Sequence, residues 1–277
     1  MDIKITILSN DIVTRADYLA EHGFSALIEA ENSKILFDTG QGMVLLHNAA
    51  LKKIDLSEID SIVLSHGHYD HANGLEKLSF NKKIKVFAHP QLFRYRYKET
   101  ESGEYKNIGP AWLGDERIMG MFEFALCASP CHLSENVILS GEIPRVTDFE
   151  QADEPFLLTD ENNRYLKDDV NDDQALFIKT GNGIVILTGC AHSGLINTVL
   201  HAKKVTGSDE IRAIIGGTHL VKLNIDKLNN TIDYIRKFKI RQLLAGHCTA
   251  FESLSYLKTK LGDMVQPLDV GKEIIIN

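Results

Sequence analysis

Four apolar, strand-like runs in this chain each end in a loop that carries histidine, and this repetition constrains the fold more than any bulk property. The densest loop is Ser65-His66-Gly67-His68-Tyr69-Asp70-His71, directly after the apolar run Ile62-Val63-Leu64. The other three are Gly189-Cys190-Ala191-His192, Gly216-Gly217-Thr218-His219 and Gly246-His247-Cys248-Thr249. They follow apolar runs at residues 184–187, 211–215 and 240–245. In open α/β sheets, ligands bind beyond the carboxyl ends of the strands. Four strand ends delivering histidine to one rim therefore predict an α/β fold with a polar site along that rim.

Hydrophobic periodicity supplies the remaining elements. Residues 3–8 alternate as a strand, and residues 25–29 and 34–37 form two short apolar runs joined by Glu31-Asn32-Ser33. Asp38-Thr39-Gly40 closes the second run with turn residues. Residues 43–53 have helical spacing, and residues 84–88 read as a strand stopped by His89-Pro90. From residue 91 to 173 the periodicity fades. A structureless loop of that length is foreign to compact domains, so the stretch predicts a partly ordered insertion or cap over the site, within one domain spanning 1–277. Inside it, Leu139-Ser140-Gly141-Glu142-Ile143-Pro144-Arg145 reads as a strand end and turn. Regularity returns with strands at 175–179 and 184–187 around the hairpin Thr180-Gly181-Asn182-Gly183. Helices at 194–205 and 225–238 alternate with the last two strands.

Composition excludes several classes. The 277 residues are long enough to bury a substantial core. A net charge of −8, from 38 acidic and 30 basic residues, disfavours nucleic acid as a partner. No apolar stretch approaches the ~20 residues that cross a bilayer, so no membrane partner is expected. The N-terminus starts directly in strand-like alternation without a signal peptide's apolar region, which predicts a cytoplasmic protein. Four cysteines are too few for a disulfide scaffold in a chain this long. Cys127 and Cys131 lack the Cys-x-x-Cys spacing of a metal knuckle and read as free thiols.

The residue types in the densest loop point to metal chemistry. Three imidazoles and one carboxylate within six positions combine borderline-soft nitrogen donors with a hard oxygen donor. That set suits zinc, with iron or manganese as alternatives. A tight turn can aim His66 and His68 at one ion and Asp70 and His71 at a second, about 3.5–4 Å away. The competing reading, a solvated polar loop, does not account for the later strand-end histidines. Isolated histidines are more simply structural: His47, His89 and His201 are assigned to helix surface or loop, and His132 lacks strand signals.

Taken together, Phe37-Asp38-Thr39-Gly40, the 66–71 cluster, the late glycine–histidine loops and the terminal Gly246-His247 resemble the metallo-β-lactamase superfamily over nearly the whole chain. The resemblance implies a four-layer αββα sandwich of two similar halves, with metals between the sheet edges at one end. Glu21-His22-Gly23-Phe24-Ser25, Gly141-Glu142-Ile143-Pro144-Arg145, Thr188-Gly189-Cys190-Ala191-His192-Ser193-Gly194 and Ile215-Gly216-Gly217-Thr218-His219-Leu220 are similar to one branch of it. That branch contains the synthase that joins a dihydropterin to a ribofuranosylaminobenzene phosphate.

By this resemblance, His66 and His68 hold the first metal, while Asp70, His71 and His247 hold the second, with Asp70 also the catalytic residue. The Pro-Gly-His loop that ordinarily supplies the remaining first-site ligand is absent here, and His192 or Cys190 takes its place. Cys190 stands where many relatives carry a bridging carboxylate, and a thiolate there favours zinc or iron. Asp38 and His219 are expected to support the ligands or to touch substrate. His22 is equally a hydrogen-bonding group across the site or plain surface. Arg145, with Arg94 and Arg96, is expected to grip a phosphate through forked hydrogen bonds, against the alternative of ordinary surface charge.

Three functions follow as expectations. The first is condensation of a dihydropterin pyrophosphate with the aminobenzene ribose phosphate, with a small phosphorylated molecule as partner. The second is hydrolysis of small phosphate esters, lactones or thioesters by metal-activated water. The third, of another class, is a metal-containing ligand sensor without turnover. Oxygen-reducing diiron relatives carry glutamate at the position of His68, and nuclease relatives carry a large extra domain, so neither is expected.

Overall fold

The computed structural model describes residues 2–151, 155–221 and 223–277. The amino-terminal alternation becomes β1 (Ile3–Ser9), followed by the hairpin of β2 (Ser25–Ala30) and β3 (Ser33–Phe37). Next come α1 (Leu45–Leu51), β4 (Ser61–Val63), α2 (Tyr69–Ala72) and β5 (Ile84–Ala88). The aperiodic stretch holds β6 (Arg96–Glu99), β7 (Tyr105–Asn107), α3 (Glu116–Met119) and β8 (Phe122–Leu126). It continues with β9 (Cys131–His132), β10 (Val137–Leu139), β11 (Phe156–Thr159) and β12 (Tyr165–Lys167). The regular remainder is β13 (Ala175–Thr180), β14 (Gly183–Thr188), α4 (Leu195–Thr206), β15 (Ile211–Gly216) and α5 (Ile225–Lys237). It closes with β16 (Leu243–Ala245), α6 (Phe251–Leu261), β17 (Val265–Pro267) and β18 (Glu273–Ile276).

Two seven-stranded sheets form the centre, in the orders β18-β1-β2-β3-β4-β5-β8 and β17-β16-β15-β14-β13-β10-β9. Strand alternation divides the apolar residues between layers. In β14, Val185 and Leu187 face the opposite sheet, while Ile184 and Ile186 face helices α4 and α5. In β2, Ala26 and Ile28 join the cluster between the sheets, and Leu27 joins Leu45 and Ala49 of α1 on the outside. At about 1.5–3 kcal/mol per buried aliphatic side chain, these three clusters are the main source of stability. The result is the expected αββα sandwich. No helix among the described residues is long and apolar enough to cross a membrane.

Residues 91–173 are distributed among three sheets. Strand β8 extends the first sheet parallel to β5, and β9 and β10 form the edge of the second. Strands β12, β11, β6 and β7 make a separate four-stranded antiparallel sheet. This small sheet is tied down at Arg96, whose guanidinium donates to Asp168 (2.8 Å) and Asp172 (2.7 Å).

Candidate metal centre

The parallel strands β3 and β4 both point their carboxyl ends at one rim, and the loops after them are joined by a single carboxylate. Asp38, fully buried just after β3, accepts from the Ser65 amide (2.7 Å), the Ser65 hydroxyl (2.7 Å) and His71 Nδ1 (2.8 Å). These bonds set the proton positions of the neighbouring rings. Because Ser65 donates its only hydroxyl proton to Asp38, its oxygen accepts from His66 Nδ1 (2.9 Å), leaving a lone pair on His66 Nε2. His71 likewise carries its proton on Nδ1 and presents a lone pair at Nε2.

A second carboxylate does the same work from the opposite side. Asp11, in the loop after β1, accepts from His247 Nδ1 (2.8 Å) and His22 Nδ1 (2.8 Å). Burial alone would raise its pKa, but these two histidines hold the carboxyl well below the usual range. Sequence reading misses Asp11 because nothing around it signals a site, although its place after a strand at the same rim is a usable cue.

Around these supports the predicted residues converge. His66, His68 and His192 offer donor atoms that lie within 4.8 Å of one another. Asp70 Oδ2 lies 3.4 Å from His247 Nε2, 3.4 Å from His22 Nε2 and 3.7 Å from His71 Nε2. Cys190 Sγ is 3.2 Å from His71 Nε2. His219 packs tilted against His192 with ring centroids 4.1 Å apart, and its amide donates to Cys248 Sγ (3.3 Å), a second thiol that sequence reading leaves out. Asp38, Ala191, His219 and His247 all have φ between 50° and 58°, the left-handed region that costs non-glycine residues about 1 kcal/mol or more each.

The donor set fits metal ions. His71 Nε2 and His247 Nε2 are 3.0 Å apart and turn toward the same space as Asp70 Oδ2 and Cys190 Sγ, with Nδ1 of each ring held by a carboxylate. Burial opposes a cation on His247, but Asp11 and Asp70 outweigh it and raise its pKa well above the ordinary value. Burial and mutual proximity hold His66, His68 and His192 well below the usual histidine range, hence in the neutral form that ligates. The Nε2 atoms of His68 and His192 are buried without a hydrogen-bond partner.

The arginines depart from expectation. Arg96 is fully buried and spent on Asp168 and Asp172. Arg145 donates to Asn171 Oδ1 (3.0 Å) and the Asp169 carbonyl, and Arg94 to the Thr159 carbonyl (2.9 Å). None of the three lines the cavity of about 300 Å³ that opens over the centre. Its walls instead include His22, Asp70, Phe156 and two lysines, Lys98 and Lys106. Of the other histidines, His47 and His201 bond backbone carbonyls, His89 accepts from the Gln91 amide, and His132 lies on β9. Cys127 and Cys131 are free thiols. Burial and the neighbouring Cys131 push Cys127 up to about 12.

Gly67 is required by close approach. A Cβ there would lie 2.2 Å from Arg96 Nη1 and 3.1 Å from the Leu92 carbonyl oxygen. Gly67→Ala is therefore expected to lower stability by about 1–3 kcal/mol and to reduce bound metal, because the loop between His66 and His68 must shift. Melting temperature and metal content of the purified variant check this; wild-type values for both would show that the loop has slack.

Comparison with known proteins agrees with this geometry. The model of the metallo-beta-lactamase superfamily matches residues 19–193. An uncharacterized protein of Methanocaldococcus jannaschii is 36% identical over 257 residues, covering 92% of this chain and 93% of its own. The 7,8-dihydropterin-6-methyl-4-(beta-D-ribofuranosyl)-aminobenzene-5'-phosphate synthase of the same organism is 30% identical over 295 residues, 99% of this chain and 96% of its own. A solved structure described as a metal-dependent hydrolase of the beta-lactamase superfamily superimposes with a TM-score of 0.84 at 26% identity, covering 98% of each chain.

Proposed function

Because the chain belongs to the metallo-beta-lactamase superfamily and resembles the branch that holds the pterin-related synthase, we propose that it condenses two phosphorylated substrates at a metal centre. The donor is a dihydropterin pyrophosphate and the acceptor a ribofuranosylaminobenzene phosphate, with pyrophosphate released. The observation that carries the metal reading is the convergence of donor atoms: those of His66, His68 and His192 lie within 4.8 Å of one another, and Asp70 Oδ2 lies 3.7 Å from His71 Nε2 and 3.4 Å from His247 Nε2. In this reading His66, His68 and His192 hold one divalent ion and Asp70, His71 and His247 a second, with Cys190 beside His71 and zinc as the first choice. Bound divalent ions supply Lewis acidity that neutralises charge developing on a departing pyrophosphate.

The chain's own groups supply the rest. Asp38 and Asp11 fix which nitrogen of His71 and His247 is free, so the centre is organised before substrate arrives. Phe156 lies edge-on to His68 and His192, with centroids 5.0 Å and 5.8 Å away, and gives the cavity an apolar wall on that side. Condensation forms a bond from the acceptor nitrogen to the pterin methylene carbon, breaks the bond to pyrophosphate and sheds one proton. His22 supports a role in taking that proton: its side chain is 54% exposed and its Nδ1 is held by Asp11. Hydrogen bonding to Asp11 raises its pKa, opposed by partial burial.

Hydrolysis is the second reading, favoured by the solved relative described as a metal-dependent hydrolase. The test is to incubate zinc-loaded protein with 6-hydroxymethyl-7,8-dihydropterin pyrophosphate and follow pyrophosphate release with and without the acceptor. Release that requires the acceptor is the expected result. Acceptor-independent release supports the hydrolase instead. Binding of the donor with no release in either tube overturns both and favours a sensor.

A further inference from the structure

The face that the small sheet turns toward the metal centre carries two lysines to which nothing above assigns a role. Lys98 of β6 and Lys106 of β7 stand directly opposite each other in antiparallel register, and Phe156 of β11 stands opposite Lys98 on its other side. Residues opposed across a sheet project from the same face. Register and cavity agree, because all three line the space over the metal centre. Arg96, two residues before Lys98 on the same face, is buried against the metal loop and anchors the row.

This pairing is unfavourable on its own terms. Like charges directly opposite in a sheet destabilise it, and neither lysine forms an ion pair with a carboxylate among the described residues. Asp70, the carboxylate that lines the cavity among the described residues, faces His22, His71 and His247 at 3.4–3.7 Å instead. Among the described residues, a chain of net charge −8 thus places two ammonium groups without a carboxylate partner over this site. A multiply charged anion between them converts the repulsion into two attractions, and cations at a cavity mouth also draw anions in.

We propose that Lys98 and Lys106 form a clamp for a terminal phosphoryl dianion of the substrate, the part that sequence reading gives to Arg94, Arg96 and Arg145. The proposal rests on the reading of this site as one for phosphorylated substrates. The shared chemistry is the terminal phosphoryl group, carried either by a pyrophosphate donor or by a phosphomonoester acceptor. Two flexible stems rooted on adjacent strands suit it, since lysine binds phosphate as a point charge without demanding a planar fork.

The test titrates zinc-loaded wild-type protein and the Lys98→Ala/Lys106→Ala double variant with inorganic pyrophosphate and, separately, ribose 5-phosphate. Zinc content and melting temperature are measured on both. The double variant is expected to bind at least one ligand about 10–100-fold more weakly, with zinc content unchanged. The Lys98→Arg/Lys106→Arg variant is expected to recover most of the loss. Weakening confined to pyrophosphate assigns the clamp to the donor, and weakening confined to ribose 5-phosphate assigns it to the acceptor. Equal affinity of wild type and double variant for both ligands, or no binding of either ligand by wild type, overturns the clamp. Neither titration needs turnover, so a failed condensation assay leaves the clamp standing and a failed clamp leaves that assay readable.

Discussion

Asp70→Ala protein is expected to lose turnover by about 10³-fold and to retain about one fewer metal ion per chain. Asp70 sits in the first turn of α2, almost fully buried, with Oδ2 facing His247, His22 and His71 at 3.4–3.7 Å. Burial by itself would raise its pKa, but His71 and His247 drive it far below the usual carboxylate range, so it is ionised at any working pH. Removing it strips the carboxylate that would compensate a second divalent ion beside His71 and His247. The backbone is not the casualty, because the Asp70 carbonyl still accepts from the Phe24 amide (3.1 Å). Metal analysis and the pyrophosphate-release rate, taken on the same sample, check the result. Asp70→Asn keeps the volume and removes only the charge, so it is expected to fall close to the alanine variant. A fully active variant that keeps both ions would remove Asp70 from the ligand set and from the chemistry.

The centre is largely legible in the sequence because its residues follow a local rule. Ligand-type side chains cluster where apolar runs stop, and the end of a buried strand is where a polar group can reach a rim. His66, His68, Asp70, His71, Cys190, His192 and His247 all obey this rule and meet in space. The two αββα halves are legible for a related reason: β14 and β15 are buried on both faces and read as continuous apolar runs. The small sheet is not legible. Its strands are three or four residues long and β7 and β12 are fully exposed, so no alternation betrays a buried face. Helix α6 carries Leu254, Leu257 and Leu261 at helical spacing, a signal that the eye passes over so close to the last histidine loop. The arginines mislead because side-chain chemistry alone does not tell a guanidinium facing a ligand from one facing buried carboxylates. Only long-range contacts decide that: Asp172 lies 76 positions from Arg96.

Arg96→Ala supplies the sharpest test of that distinction. It is expected to cost about 3–5 kcal/mol of stability, since it leaves Asp168 and Asp172, both almost fully buried, without their cation. In a chain of this size that is a fall in melting temperature of roughly 10 °C. The consequence extends to the metal loop, because Asp172 accepts from both Arg96 Nη2 (2.7 Å) and the Gly67 amide (2.8 Å). Once Asp172 is released from Arg96, the hydrogen bond that orients the backbone between His66 and His68 is weakened, and first-site metal affinity is expected to fall about 10–100-fold. Arg96→Lys restores the charge but not the fork, so it is expected to recover only part of the stability. Arg145→Ala, whose guanidinium meets Asn171 and a carbonyl rather than a buried carboxylate, is expected to cost about 1 kcal/mol. Melting each variant with and without a chelator separates the ion-pair loss from the metal loss. A phosphate-gripping Arg96 predicts the reverse: unchanged melting temperature and metal content, with only the KM for the phosphorylated substrate raised. The buried geometry of Arg96 requires the first outcome.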